Sequence, residues 1–267
     1  MSLTRADLAA WCINLDRATT RWGQMQPRLA ALGLPVERFA AIDGRADPGL
    51  VAAALEAAAF RANMGRPALP AEIGCYLSHL AVWERFLASG RPVALVLEDD
   101  VVFHDDFLPA LDAALAASDQ WDMLKLNRIR AKLPVMQGRA GPYRLNAYLG
   151  PATGFGGYLI TRDLAARLLP RMLPVRMPVD YEGTRWWAHD FRLLGLEPFP
   201  SHVDDGGIST INGPGHAEAV KPPRHRRLGN YAMRAGNYGR RLWGLAQRGM
   251  LLPRAQPLRS RLTEAQK

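Results

Sequence analysis

The residues Pro92-Val93-Ala94-Leu95-Val96-Leu97 form an unbroken apolar run that ends on three consecutive carboxylates, Glu98-Asp99-Asp100. A strand that is apolar at every position has no face to offer water, so it belongs inside a sheet covered on both sides. Helices must supply that cover, and the flanking sequence reads as helices. Residues 72–88 carry a helical pattern that is apolar nearly all round (Ile73, Tyr76, Leu80, Trp83, Phe86) and is stopped by Gly90 and Pro92. Upstream, 11–15 reads as a buried strand, 17–32 as a helix stopped by Gly33, 36–42 as a second strand before the turn Asp43-Gly44, and 49–60 as a helix. Downstream come a helix near 105–117, a strand at 121–127, a Gly-rich segment at 150–157 and a strand at 158–160, with Thr161 as N-cap of the next helix. This alternation predicts an α/β fold with a largely parallel sheet, and 267 residues suffice to build it as one domain.

In open α/β sheets ligands bind outside the carboxyl ends of the strands. Three adjacent carboxylates at such an end repel one another unless a cation neutralises them, and hard oxygen ligands suit Mn²⁺ or Mg²⁺. A divalent ion held there commonly bridges a diphosphate. Glu98, Asp99 and Asp100 are therefore the candidate metal and diphosphate site, with an acidic turn that holds no ligand as the alternative.

Charge divides the chain unevenly. Of its 34 Lys and Arg and 25 Asp and Glu, residues 221–267 hold twelve of the former and one of the latter, which leaves a body near −2. Tyr231, Tyr238, Leu242, Trp243 and Leu251 are interleaved with those cations. Such a segment suits an anionic lipid surface or nucleic acid, and a solvated tail is the third reading. Cys12 and Cys75 sit in apolar contexts without metal-ligand spacing and read as small buried thiols. No apolar run is long enough to span a bilayer and the first residues lack a secretory pattern, so the expected location is cytoplasmic, with peripheral contact at the inner membrane face.

The combination of Glu72-Ile73-Gly74-Cys75-Tyr76-Leu77-Ser78-His79-Leu80, Trp83 and Ala94-Leu95-Val96-Leu97-Glu98-Asp99-Asp100-Val101 resembles glycosyltransferase family 25. That family includes bacterial lipooligosaccharide galactosyltransferases and is similar to the collagen galactosyltransferases. Ile13-Asn14-Leu15-Asp16-Arg17, Arg21, Arg38 to Gly44, Gly157-Tyr158-Leu159-Ile160 and Pro178-Val179-Asp180 extend the likeness over about residues 10–211. The resemblance implies a GT-A type fold, a Rossmann-like mixed sheet flanked by helices, within 1–220; the charge distribution sets off 221–267 as a basic extension. It also implies a UDP-sugar donor, often UDP-galactose, a glycolipid or oligosaccharide acceptor, inversion at the anomeric carbon, and a metal held by the acidic triplet. The triplet opens on Glu where the metal motif has Asp. Asp100 is then the direct ligand, with Asp99 or Glu98 acting through ribose, water or metal.

An inverting transfer needs a base for the acceptor hydroxyl. Asp180 is the first candidate, with an N-cap role as its alternative, and Asp190 is the second. Trp186 and Trp187 would stack on an acceptor sugar. Asn14, Arg17, Arg21 and Asp43 follow the first strands, where nucleotide and diphosphate would lie, although a solvated helix face and a turn explain them as well. Ser78 and His79 are polar on a buried helix and need partners. Lys125 and Asn127 end a strand near the site, Gly156 and its neighbours allow close approach to the donor sugar, and His202, Asp204 and Asp205 could add a ligand. Two rivals remain: a glycosyltransferase-like protein that binds without catalysis, and a metal-dependent phosphodiesterase or nuclease. The scattered histidines argue against the second, and no nucleic acid partner is expected.

Overall fold

A computed structural model describes residues 2–127, 130–204, 208–209, 213–214, 223 and 227–254. The strands are β1 (Leu8–Asn14), β2 (Val36–Ala40), β3 (Val93–Glu98), β4 (Val101–Phe103), β5 (Met123–Lys125), β6 (Arg130–Ala131), β7 (Pro134–Ala140), β8 (Tyr143–Tyr148), β9 (Ala152–Thr153), β10 (Gly157–Thr161), β11 (Leu193–Glu197), β12 (Ser201–Val203), β13 (Ile208–Ser209) and β14 (Gly213–Pro214). The helices are α1 (Thr19–Leu32), α2 (Pro48–Ala54), α3 (Ala57–Met64), α4 (Pro70–Ser89), α5 (Phe107–Ala116), α6 (Arg162–Leu168), α7 (Val179–Glu182), α8 (Trp186–His189) and α9 (Leu228–Gln247).

Eight strands form one sheet in the order β2-β1-β3-β10-β5-β11-β8-β7. β3 lies inside it, parallel to β1 and antiparallel to β10, and its residues 93–97 are fully buried, as its composition requires. The sheet is mixed, as the family resemblance implies: β10 and β8 run against the other strands. That reversal has a consequence for the site. The carboxyl ends of β1, β3 and β5 deliver Asn14, Glu98 and Lys125 to one edge, and antiparallel β10 begins at that same edge with Gly157, preceded by Gly154 and Gly156.

α4 packs on this sheet beside β1 and α6 and is buried along most of its length. Pro70 opens it, the Glu72 carboxylate accepts the Leu69 N–H at 3.0 Å, and Gly90 ends it at φ 74°. The helix expected over 49–60 is two helices. Between them Leu55 is extended, because Val175 donates to the Ala54 carbonyl (2.8 Å) and accepts from the Glu56 N–H (3.0 Å), and that pairing takes the place of the helical bonds. Thr161 caps α6 as its type predicts, accepting from Leu164 N.

The extension also contributes to the packed body. α9 lies against α3 and α8, Arg241 donates to the Leu149 carbonyl, and Gln137 donates to the Met250 carbonyl. The aromatic pair expected to stack on sugar is taken by this helix instead. Arg248 lies over Trp186 and Arg241 over Trp187, each 4.8 Å from ring centre to guanidinium, and Gly244 comes so close to Trp186 that no Cβ would fit. Among the described residues no helix is long and apolar enough to cross a membrane.

The loop after β2 touches the first turn of α4 through two glycines. A Cβ on Gly44 would collide with the Pro70 carbonyl, and one on Gly74 with the Ile42 carbonyl and the Gly44 nitrogen. Backbone on both sides leaves neither contact free to relax, so Gly44→Ala is expected to lower stability by about 1–3 kcal/mol. Urea unfolding followed by circular dichroism measures this, and an unchanged midpoint would show that the loop is not held against α4.

Candidate active site

At the carboxyl edge of the sheet a cleft is lined by Ile13 and Leu15 from the end of β1, Arg21 from α1, residues 41–44 after β2, Cys75, Ser78 and His79 from α4, and the triplet 98–100. The three carboxylates have different surroundings. Asp99 is saturated: Asn14 Nδ2 donates to one oxygen at 2.6 Å and Arg21 Nη1 to the other at 2.7 Å. Arg38 in turn holds Asn14 Oδ1 through two bonds of 2.8 and 2.9 Å. Asp100 receives Arg21 Nη2 at 3.1 Å on Oδ2, while its Oδ1 is buried without a partner. Burial, aided by the Glu98 and Asp99 charges and opposed by Arg21, pushes the Asp100 carboxyl up to about 7.

Glu98 is held from behind by a buried relay. Trp83 Nε1 donates to the Tyr158 hydroxyl at 2.9 Å, and that hydroxyl lies 3.0 Å from His79 Nδ1. With its oxygen accepting from Trp83, Tyr158 gives its own proton to Nδ1, which assigns the imidazole proton to Nε2, 3.3 Å from Glu98 Oε1. His79 is thus a satisfied core histidine, and its satisfaction orients a carboxylate into the cleft.

Two ligand sets could hold a cation here. Cys75, His79 and Glu98 place a sulfur, a nitrogen and an oxygen within 4.8 Å of one another. Using that set would cost the His79–Glu98 bond and require a thiolate, and burial together with the charges of Glu98 and Asp180 raises the Cys75 thiol well above its ordinary range. Asp100 Oδ1 is a buried, unpartnered carboxylate oxygen of the kind a hard divalent ion satisfies, and Glu98 lines the same cleft.

Arg17 and Arg21 do not share a helix face, because α1 starts at Thr19. Arg17 lies outside it and binds Asp43 at 2.5 Å, a bond that holds the Asp43 carboxyl below its usual range, while Arg21 turns to the triplet. Ser78 accepts from Ile42 N (2.8 Å) and donates to the Gly74 carbonyl (2.7 Å), so it fastens the cleft wall to α4. Lys125 is fully buried. Its amine donates to the Thr153 and Gly154 carbonyls, and burial pushes it down to about 8 against the raising influence of Asp180 and Glu98. Asp180 is inside α7, whose N-cap is Pro178, so it is not the cap; its Oδ2 accepts from Gly154 N at 2.9 Å. Burial raises the Asp180 carboxyl, and the Gly154 N–H and Lys125 oppose that rise.

Asn127 is buried with neither end of its amide paired, and its nitrogen lies against Gly156, where a Cβ would collide with it. Gly156 also accepts from Glu98 N at 2.8 Å, which ties this glycine to the triplet. Asp190 is not brought to the cleft. It is left-handed at the end of α8, its side chain is 95% exposed, and it pairs with Arg248 of the extension. His202 faces His104 at 2.9 Å, Asp204 gives its N–H to the Asp100 carbonyl at 2.9 Å, and Asp205 lies outside the described residues.

The sequence reading did not give Tyr158, Trp83 or Arg38 a supporting role. A signal existed for the first two: His79 and Trp83 are one helical turn apart on a helix predicted to be buried, and two buried ring N–H groups need a shared partner.

Residues 8–182 match Glycosyltransferase family 25 (LPS biosynthesis protein). A glycosyltransferase 25 family member of Anopheles gambiae is 32% identical over 232 residues, covering 74% of this chain and 38% of that protein. Procollagen galactosyltransferase 1 of Danio rerio is 28% identical over 229 residues, covering 74% and 37%. A probable inactive glycosyltransferase 25 family member 3 of Rattus norvegicus is 29% identical over 163 residues, covering 52% and 28%. The chain therefore spans well under half the length of these relatives.

Two outcomes follow from the buried polar groups. Tyr158→Phe leaves the Trp83 N–H and His79 Nδ1 unpartnered and should cost roughly 1–3 kcal/mol in chemical unfolding; a neutral result would mean the relay is not formed. For Lys125, the unfolded amine keeps its proton up to its ordinary 10.5 while the folded one loses it near 8. The unfolded chain thus binds more protons between these values, and stability climbs with pH there. The thiols of Cys12 and Cys75, raised above 9, work the other way from pH 9 upward, so pH 8 to 9 is the clean window. Lys125→Met should flatten the climb in that window, and parallel curves for the two proteins would rule out a buried titrating amine.

Proposed function

The chain belongs to glycosyltransferase family 25, and we propose that it moves a hexose, galactose first, from a UDP-sugar to a hydroxyl of a saccharide acceptor in glycoconjugate synthesis, with inversion and with Mn²⁺ or Mg²⁺. The observation that carries this reading is the unpartnered, buried Oδ1 of Asp100 beside Glu98, in a cleft whose cation is Arg21. A divalent ion bound by Asp100 and Glu98 would neutralise the diphosphate as it leaves. Arg21 adds a second positive charge on the same side, and Asn14 and Asp99 keep it aimed. Asn127 and Gly156 offer an unpaired amide beside a close-approach glycine for the sugar hydroxyls.

Asp180 takes the acceptor proton. Its Oδ2 accepts from the Gly154 N–H, and Gly156, two residues on, accepts from Glu98 N, so one short loop links it to the triplet. Its raised carboxyl moves toward the range that suits a base near neutral pH. Lys125 positions it indirectly, by fixing the Gly154 carbonyl while the Gly154 N–H holds the carboxylate. A lipid-linked saccharide is the acceptor class that fits the family's description, and a protein-linked one fits the galactosyltransferase relative. The relative named inactive favours one rival, a protein that binds the donor without transferring it.

Calorimetry with UDP, in Mn²⁺ and in chelator, tests the donor site. Binding is expected only with metal and is expected to vanish in Asp100→Ala, and its absence from wild type in both conditions would end the uridine reading. In transfer assays Asp180→Asn should lower kcat by about 10²–10⁴-fold while UDP binding stays unchanged. Donor binding with no transfer to any lipid or oligosaccharide acceptor would leave the binding-protein rival standing.

A further inference from the structure

We infer that the outward face of α9 docks on the anionic surface of a lipid bilayer. The usual surface helix turns its apolar stripe to the core, but most of the large apolar side chains of α9 face outward, with Leu245 the buried exception. Its inward side carries Asn237 and Arg241, both buried beside Leu245, together with Asn230, which donates to the Asn63 carbonyl at 2.7 Å. Its outward side carries Leu228 (72% exposed), Leu242 (52%) and Trp243 (67%), with Tyr231 and Tyr238 beside them. Ala232, Ala235 and Ala246 fill the same exposed face, so no charge interrupts it.

Charge selects the occupant. α9 has no acidic residue, and exposed Arg234 and Arg240 stand about 120° to either side of the apolar stripe, where long side chains reach past it. Tyrosine and tryptophan on the stripe are the side chains that settle at a membrane–water boundary. A helix of 20 residues, about 30 Å long, lying in that plane buries its apolar face among acyl chains and brings its arginines to anionic headgroups. A second copy of the chain is the poorer fit, because a two-fold contact on this stripe would bring arginine against arginine. The inference does not depend on the donor chemistry of the cleft.

Flotation of the full chain with phosphatidylcholine vesicles, with and without phosphatidylglycerol, is the test. Binding is expected only with phosphatidylglycerol, and it should weaken as salt rises. Leu242→Asp combined with Trp243→Asp should reduce it by about tenfold or more, and Arg234→Gln combined with Arg240→Gln by several-fold. All four side chains are exposed, so melting curves should match wild type. Equal flotation of the aspartate variant, or no flotation of wild type, overturns the inference. So does a wild-type dimer that the aspartate variant turns into a monomer without any vesicle binding.

Discussion

Three consecutive carboxylates at the end of a buried strand repel one another, and the surroundings of β3 are arranged to contain that repulsion. Each acid receives a different partner: Asp99 a neutral amide and a guanidinium, Asp100 one arm of the same guanidinium, and Glu98 an imidazole backed by a phenol and an indole. The partners come from α1, the end of β1, α4 and β10, so the charge problem at one strand end ties four elements together. Containment is incomplete at one atom, Asp100 Oδ1, and burial, together with the repulsion left over, holds that carboxyl near 7. A fully compensated triplet would have no reason to bind a cation.

α4 is the element through which this arrangement reaches the rest of the chain. Its first turn is pressed against the Gly44 loop, Ser78 fastens Ile42, and His79 supports Glu98. Tyr76 reaches across to the Met172 carbonyl at 2.6 Å, toward the segment that leads into α7 and Asp180. Both walls of the cleft therefore refer to one buried helix, which explains why a helix with apolar residues nearly all round still carries two polar residues on successive positions.

The layered α/β architecture and the triplet's place at a strand end were legible because burial on both faces leaves a continuous apolar run in the sequence. The mixed direction of the sheet was not legible from periodicity, since β10 has the same composition whichever way it runs. The Arg21 contact lay within reach of sequence reasoning but its partner did not, because the turn before α1 sends Arg17 and Arg21 to different acids. Leu55 shows a further limit: an Ala- and Leu-rich stretch has ample helix propensity over 49–60, and a backbone pairing with Val175, 120 residues away, overrides it.

Asp190, Trp186 and Trp187 lie outside the lining of the cleft for one shared reason. All three were assigned to a sugar site on side-chain type, and all three are engaged by arginines of a segment whose charge had suggested a tail. Twelve cations in 47 residues imply solvent only if nothing in the body offers them acceptors. Here the body offers the Leu149 and Phe191 carbonyls and two indole faces, so Arg241 and Arg248 turn inward. Once those arginines define the inner face, the 3.6-residue repeat places Leu228, Leu242 and Trp243 on the outer one. The exposed apolar stripe is thus the geometric counterpart of the inward ion and carbonyl contacts.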